Sequence, residues 1–350
     1  MFKMKNKMVI AMLILCVAIP SLLNAVSEEG LLFLLIAPGS RASGMGEAFV
    51  GLADDGYATY WNPGAMAFNR KTQIAGMHSN WFQGAGLNDM YYEFLSWNQY
   101  FPEIGNIGAF IQFMNAGTQD HTDADSNVLG TFSSYDIALA FSYGYQVNDN
   151  WGIGSNFKFI RSELGPGTGN SDNKGVGMTF AFDFGVKALD LLKYANIDNP
   201  YVGKLSWGLA LQNLGPDVTY VNNSQKDPLS LNFRSGLSYL AWSDDYTDVI
   251  VNADVNKVLA NEDAVLKRLF SDWNDNNYVY NVGAEYTYLK LLSLRGGYVY
   301  DKAGSIMGPS FGVGINYTFN NNYRVSADFA MQQGGDLVDF NKLFSLSLEF

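Results

Sequence analysis

The residues that could do chemistry are few and widely spaced. The chain of 350 residues contains two histidines, His78 and His121, and neither stands at the spacing of a known metal-binding motif. Asp120, Asp123 and Asp125 flank His121 and could suggest a calcium loop, but the glycine and the distal bidentate acid of such a loop are missing. A solvated acidic loop is the favoured interpretation, and we predict neither a metal nor a cofactor.

The motifs of common catalytic sites are also missing from the sequence. It contains no G-x-S-x-G nucleophile turn, no phosphate-binding loop and no dinucleotide fingerprint. Asp and Glu side chains that face the interior of the fold could form a catalytic pair. We expect them instead to form ion pairs with Arg234, Arg295 or Arg324. The single cysteine, Cys16, lies in the N-terminal apolar stretch, so the rest of the chain has no thiol nucleophile and no disulfide. These observations predict a protein that is not an enzyme.

The first 25 residues have the composition of an export signal. Three lysines between Lys3 and Lys7 precede an apolar stretch over residues 8–19, and Ala25 offers a cleavage point. The apolar stretch is shorter than the roughly 20 residues of a spanning helix. We predict export by the general secretory route and removal of this signal; the alternative is an uncleaved membrane anchor.

The overall composition restricts the class of protein. The net charge of −12 argues against nucleic-acid binding, which needs a basic surface. Charged residues make up 16% of the chain, against roughly 25% in an average soluble domain. Aromatic residues reach 15%, and there are 36 glycines. This composition indicates a sheet whose outer face contacts something other than water.

From Lys71 to the last residue the chain alternates with period two, which is typical of strands with two different faces. In Phe311–Phe319 every second residue is bulky and apolar, and the residues between are small or polar. Counting such segments predicts about 14 strands, which begin near residues 71, 89, 105, 134, 151, 175, 203, 230, 246, 278, 291, 308, 322 and 340. We predict an all-β fold, a transmembrane antiparallel β-barrel over residues 71–350.

A soluble β-sandwich or secreted barrel is the alternative, because any half-buried strand alternates. The polar faces, however, are mostly Gly, Ser, Ala, Thr and Asn, which suits a crowded lumen better than open solvent. The chain also ends in an alternating strand, Phe344–Phe350. A terminal Phe350 resembles the signal that the outer-membrane barrel-assembly machinery reads, so we predict insertion into outer-membrane lipid.

The connections between strands predict the orientation. Long connections (115–133, 165–174 and 214–227) alternate with short ones (148–150, 290–291 and 320–322). Long extracellular loops and short periplasmic turns are usual, so both chain ends are predicted on the periplasmic side. An amphipathic helix is predicted over Lys257–Phe270, with Asn261 as a cap, either packed on the barrel rim or docking a partner.

Residues 33–67 carry a specific resemblance. They read F-L-L-I-A-P-G-S-R-A-S-G-M-G-E-A-F-V-G-L-A-D-D-G-Y-A-T-Y-W-N-P-G-A-M-A. The stretch resembles the N-terminal signature of the PorV/PorQ family of outer-membrane proteins, relatives of the FadL-type fatty-acid channels. The matching positions are Arg41, Gly44, Met45, Gly46, Asp54, Asp55, Trp61, Asn62 and Pro63. One departure is Gly64-Ala65-Met66, where the family usually has Ala-Gly-Leu. Later segments, such as 211–215 and 294–298, agree as well.

The resemblance implies that residues 26–70 form a hatch inside the barrel. Gly44 and Gly46 permit close backbone approach or positive φ, and Asn62-Pro63 forms a turn. Arg41 is expected to pair with a lumenal acid, either Asp183 or Glu285. These residues either shape the plug, which is the favoured interpretation, or contact a ligand directly.

Two functions follow from the resemblance. The favoured one is a component of type IX secretion that receives cargo bearing a C-terminal sorting domain from the secretion translocon, with no chemistry of its own. The alternative is a FadL-like channel that takes up a hydrophobic ligand through a pocket gated by the hatch.

Overall fold

The structure is a computed structural model. It shows a closed barrel of fourteen antiparallel strands. The structure describes residues 30–81, 89–123, 125–165, 175–195, 205–220, 226–259, 263, 265–271, 273, 277–320, 322–335 and 340–350. The predicted export signal and the predicted helix cap Asn261 lie outside the described residues. The strands are β1 (Gln73–Asn80), β2 (Tyr91–Phe101), β3 (Gly105–Thr122), β4 (Val128–Gln146), β5 (Trp151–Glu163), β6 (Val176–Ala188), β7 (Leu205–Leu214), β8 (Asn232–Ser243), β9 (Thr247–Val258), β10 (Tyr278–Tyr288), β11 (Leu292–Asp301), β12 (Ile306–Phe319), β13 (Tyr323–Gln333) and β14 (Phe340–Glu349).

Each strand pairs with its neighbours in sequence, and β1 pairs with β14 to close the barrel. The closing register runs from Gln73 opposite Glu349 to Asn80 opposite Lys342. Beyond it, Thr72 and Phe350 exchange two backbone hydrogen bonds of 2.8 and 2.9 Å. The predicted fold class is confirmed, and every strand except β4 begins within two residues of its predicted position.

The outer and inner faces of the wall differ as the alternation predicts. On β12, Phe311, Val313 and Ile315 are 55, 49 and 55% exposed on the outer face, whereas the inward-facing Ser310 is fully buried. Large apolar side chains cover the outer face of the other strands in the same way. A soluble protein would place such residues inside, so this outer surface is suited to lipid.

The β3–β4 connection differs from the prediction. Residues 115–133, expected as a long loop, instead extend the two strands into a hairpin that keeps pairing past a bulge between Asn115 and Thr118. Asp123 closes the hairpin tip, where the side-chain amide and backbone N–H of Asn127 hold the pKa of Asp123 below its usual value. The apolar alternation fails here because both faces of a hairpin beyond the barrel contact water.

The two ends of the barrel have different connections. At the turn end, where β1 begins and β14 ends, most connections are short, at 102–104, 147–150, 244–246, 289–291 and 320–322. The exception is 189–204, which contains a 3-10 turn at Leu191–Ala195. At the opposite, loop end, 302–305 is short as well. Long and short connections therefore alternate as predicted for most strand pairs, with one long connection at the turn end and one short connection at the loop end.

The described N-terminus lies at the loop end, which corrects the expectation that both chain ends share one side. Gly30 forms a parallel bridge with Leu229, close to where β8 begins, and its N–H donates to Pro228 O at 2.9 Å. The expectation holds for the barrel strands themselves. It fails for the first described residues, because residues 30–70 cross the lumen before β1 begins.

The predicted helix over Lys257–Phe270 is shorter than expected. Lys257 and Val258 complete β9, because their cross-strand pairs with Phe233 and Asn232 continue the sheet. The helix is Val265–Ser271, the third of the described α-helices in chain order. Among the described residues, no helix is both long enough and apolar enough to cross a bilayer.

We predict that an arginine on the outer face destabilises the barrel in a depth-dependent way. Val313→Arg, at the middle of β12, should lower the free energy of unfolding in lipid by about 2–4 kcal/mol. Leu129→Arg, at a similarly exposed position on the hairpin beyond the barrel, should change it by about 1 kcal/mol or less. Urea unfolding in vesicles measures both, and equal effects would contradict a lipid-facing β12.

Candidate functional site

The candidate site is the N-terminal stretch of residues 30–70, here termed the lumenal segment. It contains α1 (Ser40–Gly44), α2 (Ala58–Trp61) and 3-10 turns at Leu32–Leu35 and Ala65–Phe68. The α1 helix contacts β11 to β14, α2 contacts β2 and β3, and the second 3-10 turn contacts β3 to β6. Met45, Phe49, Tyr60 and Trp61 are fully buried. The segment therefore extends across the lumen and packs against opposite walls.

Glycines allow the backbone of the segment to touch the wall. Gly46 has a φ of 64°, and a Cβ there would lie 2.6 Å from Tyr298 N. A Cβ on Gly44 would lie 3.0 Å from the Cα of Gly312, which is itself a glycine on β12. Met45 between them packs its backbone against Gly283 and Gly297. At these contacts the backbones of the segment and the wall approach each other without a side chain between them.

The Asn62-Pro63 turn anchors the segment on the opposite wall. Asn62 Oδ1 accepts a hydrogen bond from Gly64 N at 3.0 Å, and Asn62 Nδ2 donates to Val186 O at 2.9 Å. The neighbouring Trp61 donates from Nε1 to Pro38 O at 2.9 Å, within the segment. The turn residues therefore join the segment to β6 and to itself.

Arg41 is the centre of an ion network between the segment and the wall. Its Nε and Nη2 donate to the two carboxylate oxygens of Glu285 on β10, at 2.9 and 2.8 Å. Its Nη1 donates to Asp54 at 2.5 Å and to Asp55 at 3.2 Å. A bidentate arginine–carboxylate pair is among the strongest hydrogen-bonded contacts in proteins.

The network continues into the wall. Arg295 on β11 donates from Nε to Glu285 at 2.5 Å and from Nη1 to Asp328 on β13 at 2.6 Å. Two arginines and four carboxylates therefore meet, three of these groups from the segment and three from the wall. Glu285 lies close to the turn end of β10, which places the network in that half of the lumen.

The other predicted partner of Arg41, Asp183, lies elsewhere. It pairs with Lys158 at 2.9 Å and accepts hydrogen bonds from Asn156 Nδ2 and Asn213 N at 2.7 and 2.8 Å. Of the two arginines considered alongside Arg295, Arg234 stacks over the Trp61 ring at 4.9 Å. Arg324 donates to Asn316 at 3.1 Å and lies across the ladder from Glu349, with which it interacts electrostatically.

Several wall residues hold the segment without having been singled out from the sequence. Asp254 Oδ2 accepts the N–H groups of Phe49 and Val50 at 2.6 and 2.8 Å. Lys187 donates to the carbonyls of Gly51 and Leu52. Gln212 and Asn281 likewise donate to segment carbonyls. Alternation marks such side chains as inward-facing, but it does not show which of them meet the segment.

The histidines and the acidic loop form no common site. His78 contacts Glu93 at 2.8 Å on the outer face of β1 and β2, whereas the His121 ring packs edge-on against Phe132 in the hairpin. Within the described ranges, no group of three or more His, Cys, Asp or Glu side chains is arranged to hold a metal ion.

Two cavities lie away from the lumenal segment. One, of about 350 Å³, lies beside the hairpin and is lined by His121, Phe132 and Glu163. The other, of about 540 Å³, is an apolar groove on the outer face lined by residues such as Leu294 and Val313. Neither is lined by a residue of the lumenal segment.

A sequence profile described as type IX secretion system protein PorV matches residues 24–264, which is more than half of the chain. The chain belongs to this PorV family. The match includes the whole lumenal segment and the first nine strands. No curated protein matches the chain.

Solved structures resemble this PorV-family barrel in fold. The toluene transporter TbuX of Ralstonia pickettii is 13% identical, with 89% of this chain and 97% of that chain covered and a TM-score of 0.51. The toluene transporter TodX of Pseudomonas putida is 12% identical, covers 89% and 96%, and also scores 0.51. A FadL homologue of Pseudomonas aeruginosa is 12% identical, covers 88% and 97%, and scores 0.48. The family and the barrel fold together make this a protein of the outer membrane.

We predict that Arg41 keeps the lumenal segment of this PorV-family barrel closed. Ser40→Cys, a small change at a fully buried position, should react slowly with a membrane-impermeant maleimide. Adding Arg41→Gln leaves Glu285, Asp54 and Asp55 short of a partner, so opening should become easier by about 3 kcal/mol, roughly a hundredfold in labelling rate. Mass spectrometry locates and times the label.

The control for this experiment is Arg161→Gln. Arg161 pairs with Glu163 at 2.6 Å but is partly exposed at the loop end, outside the network. It should leave the labelling rate of Ser40→Cys unchanged. An Arg41→Gln background that labels as slowly as the parent would show that the network does not hold the segment.

We also predict that Gly46 tolerates no side chain. Gly46→Ala places a Cβ against Tyr298 at a left-handed backbone position, so it should lower the free energy of unfolding by about 2 kcal/mol or more. Gly296→Ala, where an added Cβ has open space, should stay within about 0.5 kcal/mol of the parent. Thermal unfolding in detergent compares the two; similar losses would contradict the close approach.

Proposed function

We propose that this protein is an accessory barrel of type IX secretion that handles exported cargo at its loop end and carries out no chemistry. The observation that carries the proposal is a PorV-family barrel whose lumen is occupied by its own N-terminal segment. A cargo polypeptide could pass through the lumen only if the segment moved out, which would break the whole ion network and the glycine contacts. Cargo is therefore handled on the outside of the barrel, at a surface that the closed lumen leaves free.

The loop end offers such a surface. The β3–β4 hairpin extends beyond the barrel and exposes Val128 and Leu129 at 62 and 61%. The third α-helix is held to the barrel through the Arg268–Asp217 ion pair at 2.7 Å, and it exposes Leu266 and Phe270 at 69 and 84%. Under this proposal the loop end faces the cell exterior, and its partners are the secretion translocon and the C-terminal domains of cargo.

The route to this position is part of the same proposal. The chain is exported by the general secretory route behind residues 1–25, and the barrel-assembly machinery recognises the C-terminal strand. Phe350 is suited to this because it lies at the closing edge, where its ring stacks with Tyr323 at 6.1 Å. The lumenal segment then acts as a hatch that keeps the barrel sealed in outer-membrane lipid.

The second candidate is a channel for hydrophobic small molecules. It is favoured by the fold shared with the toluene transporters and by the apolar side chains in the lumen, such as Leu34, Phe110 and Ile160. In the described structure these side chains pack against one another. A channel would have to displace the segment before a ligand entered.

The deciding experiment is a deletion strain together with a tagged copy purified in mild detergent. Loss of the protein should leave cargo bearing the C-terminal domain in the periplasm, and the purified barrel should carry translocon or cargo proteins by mass spectrometry. Normal secretion in the deletion strain would refute the proposal. A stoichiometric hydrophobic compound without a protein partner would establish the channel instead.

A paired set of variants tests whether the loop end acts. Val128→Ser with Leu129→Ser should lower cargo release several-fold, because it removes the apolar surface at the hairpin tip. Leu289→Ser with Leu292→Ser makes the same change at similarly exposed positions at the turn end and should leave release unchanged. Equal release from both, with both barrels folded by gel mobility, would exclude the hairpin as the contact surface.

A further inference from the structure

The connection between β7 and β8 folds inward over the loop end of the lumen. Its two arms are joined by a short antiparallel bridge, in which Val218 and Asp227 exchange backbone hydrogen bonds of 2.9 and 3.0 Å. Val218 and Leu229 are fully buried, in the same apolar cluster as the start of the lumenal segment. The described parts of this connection, residues 215–220 and 226–231, are termed here the latch.

The inner side of the latch holds the first described residue of the lumenal segment. Gly30 forms a parallel bridge with Leu229, and its N–H donates to Pro228 O at 2.9 Å. The fit is close, because a Cβ on Gly30 would lie 2.8 Å from the Cβ of Asp227. The segment is therefore attached at the loop end by a contact that is separate from the Arg41 network.

The outer side of the latch is held by the third α-helix, α3 (Val265–Ser271). The side chain of Arg268 is 2% exposed, and its Nη2 donates to Asp217 of the latch at 2.7 Å. Trp273, just after the helix, packs on Phe233 of β8 with 5.2 Å between the ring centroids. The ion pair therefore joins α3 to the latch, and Trp273 holds the helix on the wall without it.

A continuous chain of contacts thus runs from the surface of the protein to the lumenal segment. It leads from α3 through the Arg268–Asp217 pair to the bridge inside the latch, and from there to Gly30. The contacts are in series, because both ends share the latch. Since coupling between two ends of such a chain is reciprocal, a change that loosens α3 also loosens the start of the segment.

We propose that the latch couples α3 to the start of the lumenal segment, so that movement of α3 releases residues 30–37 while the Arg41 network continues to hold the rest. The segment then opens in two stages, first at the loop end and afterwards at the network. Contact of cargo or translocon with Leu266 and Phe270 on α3 would reach the segment by this route, a consequence that rests on the proposed function. The latch itself does not depend on that role.

Cysteine labelling of the purified barrel tests the coupling. Ala37→Cys and Ala48→Cys are small changes at positions that are 3 and 0% exposed, before and after Arg41 in the chain. Asp217→Asn removes the charge that Arg268 meets. The Ala37→Cys probe should then react with a membrane-impermeant maleimide about tenfold faster or more, because one buried charge has lost its partner. The Ala48→Cys probe should keep its rate. Unchanged labelling at the first probe, or equal acceleration at both, would overturn the proposal.

Two further variants separate the latch from a general loss of stability. Lys267→Gln is the matched control, because Lys267 lies on the same helix but is 67% exposed where it pairs with Asp263 at 2.6 Å. It should change neither labelling rate. Gly30→Ala opens the inner side of the latch and should also accelerate the Ala37→Cys reaction. Adding Asp217→Asn to it should then have less effect than Asp217→Asn has alone, because both act on one series of contacts. Effects that multiply would refute the latch.

Hydrogen exchange on the unmodified protein decides the question if a variant does not fold. The backbone N–H groups of Gly30, Val218 and Asp227 are all hydrogen-bonded to the latch, so one opening should expose the three at a common rate. The N–H groups of Phe49 and Val50, which a wall carboxylate accepts, should exchange more slowly. Separate rates for the three latch groups would contradict a single latch.

Discussion

A lipid bilayer offers no hydrogen-bond partner to a spanning backbone, and the rest of this structure depends on how that constraint is met. Every strand must pair on both sides, which forces the shortest strand, β1, to join both β2 and β14. Closure then divides the side chains into two populations. Those facing outward are mostly large and apolar, whereas those facing inward include most of the polar and charged side chains of the wall and pack against the lumenal segment.

Inside the closed wall, buried polar groups also need hydrogen-bond partners. The lumenal segment has little regular structure, so its own backbone leaves many N–H and C=O groups to be paired. The inner wall supplies the partners: Asp254 accepts from the segment, and Lys187, Gln212 and Asn281 donate to it. Irregular backbone at membrane depth is tolerated here because it is enclosed by protein. The polar inner face is thus a binding surface for the segment.

The parts of this structure that follow from local sequence are those where lipid imposes a pattern. Outward residues such as Phe311 and Val313 recur every second position, so the strand positions could be predicted closely. The pattern weakens wherever both faces meet water, as in the β3–β4 hairpin, which looked like a loop. It also weakens at the end of β9, where Lys257 continues a strand but resembles a helix start.

The residues of the lumenal segment could be predicted from the sequence, but the wall residues that they contact could not. The family signature indicated that Arg41 would meet a lumenal acid, yet Glu285 is 244 residues away in the chain and Asp183 was an equal candidate. Choosing between them requires the strand register and the path of the segment, which no local spacing encodes. The same holds for Gly283 and Gly297. Nothing in the strand sequences around them indicates that the backbone of Met45 packs against both.

The unequal strand lengths have a consequence for one side of the barrel. With 18 and 19 residues, β3 and β4 reach about 60 Å along their axes and, at the usual tilt, about 45 Å across the bilayer, against an apolar band of about 25 Å for such barrels. These two strands therefore continue well past the lipid at the loop end. They give the barrel one raised side, which a large neighbour approaching from that end meets first.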